Sequence, residues 1–103
     1  MHQIQIEFSD LEDAKEVLEL AEKYEDIEAI QEKKFSGDIT VIELYISMAV
    51  NIITIASVTI KTLIEQKKIS SLVIDGEKIE LKNVPIELVE KVINQHLMEK
   101  RND

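Results

Sequence analysis

Two histidines, a row of carboxylates and a stripe of hydroxyl and amide side chains are the residues whose types suit chemistry. His96 is the only internal histidine. To work as a base or a metal ligand it needs a partner, which on a helix means a residue three or four positions away. Only Glu99 qualifies, since the other near positions hold Val92, Ile93 and Lys100. A histidine at the edge of a packed stripe is expected to be structural, and His2 stands at an end of the chain where mobility weakens any chemical role. Glu12, Glu16, Glu19, Lys23 and Asp26 line up at helical spacing. Such carboxylates suit a hard cation, but no glycine turn shapes them into a cage, and a solvated face is the expectation. No serine or threonine has a base beside it, and the nucleophile-elbow, P-loop and dinucleotide glycine patterns are missing. The residues therefore predict no catalytic, metal or cofactor site, and no enzyme, unless one is assembled across a dimer interface.

The hydroxyl and amide stripe lies in the stretch that organises the chain, residues 38–68, within which residues 44–60 carry no charge. Thr40, Glu43, Ser47, Asn51, Thr54, Ser57, Lys61, Glu65 and Lys68 recur at steps of three or four, the period of an α-helix. The apolar residues between them span more than the roughly 100° stripe of a surface helix. With Asp38 as N-cap, one unbroken helix would be on the order of 40 Å long at ~1.5 Å per residue. One end should then protrude or pack on another chain. Asn51 sharpens this expectation, because an amide amid isoleucines needs partners and a single buried asparagine fixes register between paired helices. Ser47, Asn51, Thr54, Val58 and Lys61 are the expected interaction residues, meeting a symmetry mate or a partner helix. The plainer alternative is an exposed edge, with hydroxyls bonded back to carbonyls a turn earlier.

The same stretch has two rival readings. Residues 44–60 are about long enough to span a bilayer, with lysines following; against this, a span would divide the chain into halves too short to make cores. Alternatively, residues 39–46 are β-branched and alternate, as a strand does. Ser36-Gly37-Asp38 would then be a hairpin turn, with the helix starting near Ser47.

The flanking elements read more simply. Ile4, Ile6 and Phe8 alternate with Gln3, Gln5 and Glu7, as in a strand with one face packed. Ser9-Asp10-Leu11-Glu12 fits a capping box, opening a helix whose buried stripe is Leu11, Ala14, Val17, Leu18, Ala21 and Tyr24. Residues 27–34 form a weak second strand whose charged end protects a sheet edge, and Phe35-Ser36-Gly37-Asp38 turns into the central element. Asp75-Gly76 marks a type I′ hairpin, placing Leu72 opposite Ile79 and Val73 opposite Lys78. Pro85 opens a last helix with Leu88, Val89, Val92, Ile93, His96 and Leu97 inside, and Lys100-Arg101 end it. The leading fold is a two-layer α+β domain over residues 1–103, ordered β-α-β-α-β-β-α, with one long central apolar helix and the helices on one face of the sheet. The alternative is a ferredoxin-like βαββαβ with an extra strand and a C-terminal helix.

Composition limits the function. A net charge of -9 argues against nucleic acid and anionic membrane surfaces as partners. Zero cysteines exclude a disulfide scaffold and a thiol nucleophile. Residues 1–7 have neither the basic nor the apolar region of a signal peptide, so a cytoplasmic setting is expected. The order of strand, acidic helix, weak strand, long aliphatic helix, the hairpin at residues 73–81 (Val73-Ile74-Asp75-Gly76-Glu77-Lys78-Ile79-Glu80-Leu81) and final helix resembles the effector-associated constant component family, small proteins of bacterial conflict systems. That resemblance implies an adaptor or scaffold with no activity of its own. The expected function is a non-enzymatic interaction module forming a homo-oligomer or binding a protein partner. The competing class is a small-molecule-sensing regulatory domain.

Overall fold

The computed structural model describes residues 1–33 and 39–98. The expected turn at residues 35–38, Asp38 as a cap, and the helix end at Lys100-Arg101 lie outside them. β1 (His2–Phe8) leads through a 3-10 turn at Leu11–Ala14 into α1 (Lys15–Lys23), followed by β2 (Ile27–Lys33) and β3 (Thr40–Ile46). Then come α2 (Val50–Glu65), β4 (Ile69–Ile74), β5 (Glu77–Ile79) and α3 (Ile86–Met98). The five strands form one sheet in the order β2-β3-β1-β4-β5, and every neighbouring pair is antiparallel. This is a two-layer α+β fold, in the split βαββαβ arrangement with one strand and one helix added.

The element order corrects the single-helix reading of residues 38–68. Thr40–Ile46 is a strand with β1 on one side and β2 on the other. Ile42, Leu44 and Ile46 point into the core, whereas Glu43 and Tyr45 are only partly covered on the opposite face. Thr40, Glu43 and Ser47 happen to satisfy a helical period, but a strand backbone here completes two ladders that a helix would leave open. The true helix has 16 residues and is about 24 Å long at ~1.5 Å per residue. It fits within the 39 × 33 × 21 Å of the molecule, so no end has to protrude. The uncharged run is split between a strand, a loop and a helix. Among the described residues no helix is long and apolar enough to cross a membrane.

Local signals act as the sequence dictates, with two shifts. Asp75 and Gly76 both take positive φ, 51° and 86°, as a type I′ turn requires. The turn sets Leu72 opposite Ile79 and Val73 opposite Lys78. The expected cap opens the 3-10 turn and not α1 itself, and it is supplied not by Ser9 but by Asp10, whose carboxylate accepts from the Glu12 amide at 3.1 Å; α1 begins after Ala14 with no side-chain cap. Glu12 pairs with Lys15 instead of reaching back to the cap. α2 ends with Lys67 in the left-handed region at φ 60°. Its amide donates to the Ile64 carbonyl and that of Lys68 to Leu63, the paired bonds of a Schellman ending, with lysine where glycine is usual.

The core lies between the sheet and the three helices and is aliphatic apart from Phe8. Ile4, Ile6, Phe8, Leu44, Leu72 and Ile74 supply the sheet side; Val17, Ile53, Ile60, Leu63, Val89 and Ile93 supply the helix side. Leu11 and Leu88, expected on buried stripes, are about half exposed. β2 lies at one edge of the sheet, as its charged sequence implies.

Candidate interaction face

α2 presents two polar edges where the sequence shows one. Ser57, buried, donates to Asn94 on α3 at 2.8 Å, and Lys61 pairs with Glu90 at 3.3 Å. These two residues belong to the seam between α2 and α3. The other edge faces solvent and carries Asn51, Thr54 and Val58. Thr54 donates back to the Val50 carbonyl at 2.8 Å, the local bond that hydroxyls make within helices. Ser47 precedes the helix, its hydroxyl accepting from the Ala49 amide at 3.4 Å. Asn51 stands exposed in the first turn of α2 and not among buried isoleucines, which removes the premise that its amide needs buried partners. The five expected interaction residues thus divide: Asn51, Thr54 and Val58 share an open face, Ser47 lies in the preceding loop, and Lys61 turns to α3.

Two apolar side chains dominate this open face. Val50 is 62% exposed and Val58 54% exposed. They stand eight residues apart with Thr54 midway, on one line along the helix. Met48, half exposed, lies in the loop just before α2.

The residues expected to be chemically idle are differently placed from the sequence reading. His2 is not at a mobile end: it is 2% exposed. Its Nδ1 lies 2.8 Å from the Asp75 carboxylate, and its Nε2 lies 2.9 Å from the Leu97 carbonyl at the end of α3. The carbonyl can only accept, so Nε2 is the donor there. With both ring nitrogens engaged, His2 ties β1, the β4–β5 turn and α3 together and has no free nitrogen for a substrate. The signal was in the sequence, since His2 falls in phase with Ile4, Ile6 and Phe8. His96 is partly exposed, with Nε2 3.7 Å from Glu77; Glu99 lies outside the described residues. Among the described residues no three of His, Asp and Glu gather as ligands for one ion.

The face of the sheet turned away from the helices is acidic. The register lines Glu28 of β2 beside Tyr45 of β3, with Gln3 of β1 on the other side. The Tyr45 hydroxyl donates to Glu43 at 2.9 Å. That bond, then partial desolvation, then the charges of Glu43, Glu32 and Glu28 hold the phenol above its ordinary value. The neutral form is favoured, so whatever stability this bond contributes is present below pH ~10 and is lost as pH rises through the elevated value. An absorbance titration should place the Tyr45 midpoint above that of free tyrosine, and Glu43→Ala should bring it down. A midpoint indifferent to Glu43→Ala would contradict the assignment.

No known protein family, curated protein or solved structure matches this chain.

Proposed function

We propose that this chain is a non-catalytic interaction module, working in the cytoplasm, that pairs with a second copy of itself through the open face of α2. The observation that carries this reading is the exposure of Val50 and Val58 on the only long stretch of the chain without charge. A molecule of net charge -9 repels its copies over most of its surface. An uncharged, partly apolar helix face is where two copies can meet without that repulsion. A two-fold axis through Thr54 sets Val50 of one copy against Val58 of the other, a self-complementary contact. The adaptor or scaffold role implied by the resemblance to the effector-associated constant component family agrees with this reading.

Light scattering on the eluting full chain tests it. The native protein should have the mass of a dimer, and Val58→Glu, which places a carboxylate on each side of the axis, should have the mass of a monomer with an unchanged circular dichroism spectrum. A native chain that stays monomeric at high concentration would overturn the reading.

A further inference from the structure

A cavity of about 690 Å³ opens at the C-terminal end of α2, between that helix, the start of β4 and the segment leading from β5 into α3. Its volume falls within the roughly 300–1,000 Å³ of small-ligand pockets. The wall is apolar, made by Ile64, Ile69, Leu81, Val84 and Ile86. Ile69 is buried and the other four are partly covered where they pack against the core. The backbone at the mouth is fixed by two residues in the left-handed region, Lys67 at φ 60° and Asn83 at φ 59°.

Charge sets what fits. Among the described residues the cavity is lined by Lys67, Lys82 and a single carboxylate, Glu65, and neither lysine has an ion-pair partner there. Two ammoniums against one carboxylate leave a single net positive charge, on a chain that is strongly acidic elsewhere. The nearby helix carbonyls of Thr62, Leu63 and Ile64 are already engaged by backbone amides, which blunts the repulsion an anion meets at a helix C-terminus. Among the described residues no aromatic ring lines the cavity to stack a base or a ring compound. The geometry points to a binding site for a small aliphatic monocarboxylate, with its hydrocarbon against the isoleucine, leucine and valine wall and its carboxylate at the two lysines. This site is separate from the Val50 and Val58 face, so it stands or falls independently of self-pairing.

The test is amide chemical-shift mapping of the full chain titrated with octanoate, with octylammonium as the charge-reversed arm. Octanoate should give saturable shifts at Ile64, Ser70, Lys82 and Asn83, leaving β2 unmoved, and octylammonium should bind far more weakly. Lys82→Glu should weaken octanoate by roughly tenfold, Val84→Trp should abolish binding by filling the groove, and Val58→Glu should leave it unchanged. Lys82 is exposed, so its variant keeps the comparison valid if Val84→Trp does not fold. Octylammonium binding as tightly as octanoate, shifts scattered over the surface, or no saturable shift would each overturn the assignment.

Discussion

Leu44→Ala is expected to destabilise the protein by about 2–5 kcal/mol, whereas Tyr45→Ala, one residue along, is expected to cost under about 1 kcal/mol. Leu44 is fully buried, with Ala29 of β2 on one side and Ile4 of β1 on the other. Truncating it leaves a cavity beneath three strands that cannot collapse without disturbing two ladders. Tyr45 points to the opposite face, where its hydroxyl meets Glu43 and Gln3 at the surface. In a helix both side chains would fall within one wide apolar arc and the two substitutions would cost similar amounts. Urea denaturation separates the cases: a large difference marks alternation, and equal losses would contradict β3. Against a typical total of about 5–15 kcal/mol, the Leu44 effect is large enough to bring the transition close to ambient conditions.

His2→Ala should cost about 2–3 kcal/mol. The last carbonyls of a helix lack intrahelical donors, and His2 supplies one from β1 to Leu97. Its loss leaves that carbonyl without this donor and takes one partner from Asp75, which still accepts from the Gln3 amide at 2.9 Å. The effect has a location as well as a size. Hydrogen exchange should accelerate in the last turn of α3 and at the β4–β5 turn, while α1 keeps its protection. Uniform loss of protection, or none, would show that His2 does not hold α3 to the sheet.

What the sequence disclosed follows from how local each signal is. The turn and register of the β4–β5 hairpin were legible, because Asp75-Gly76 determines both together, although β5 stops at Ile79 and does not run on to Leu81. β1 was legible from the alternation of Gln3, Gln5 and Glu7 with Ile4, Ile6 and Phe8, although His2, the first residue of the strand, was set aside despite being in phase. The central stretch was legible only as rival readings, of which the strand at residues 39–46 followed by a helix from near Ser47 is the one found. Residues 40–46 satisfy both a two-residue and a three-to-four-residue period, and the choice is made by β1 and β2, which are distant in sequence or only weakly patterned. Calling the whole stretch a helix also misjudged Asn51, whose exposure follows from its place in the first turn of a helix that begins at Val50. The exposed face of α2 was half legible: Thr54 and Val58 share it as their spacing implies, and Lys61 is drawn to α3 by Glu90, a pairing no local pattern reveals. The groove beside Lys67 was invisible, since it is built from residues on three separate segments.

Because the chain has no cysteine, a single one introduced as Thr54→Cys reports directly on the proposed pairing. A disulfide needs Cα atoms about 4.4–6.8 Å apart, a separation that two copies reach at this position only if their α2 helices cross near Thr54. Mild oxidation at low protein concentration should convert Thr54→Cys largely to covalent dimer while Lys78→Cys, exposed on β5, stays monomeric. Equal crosslinking of the two variants, or none at Thr54→Cys, would contradict self-association through the open face of α2.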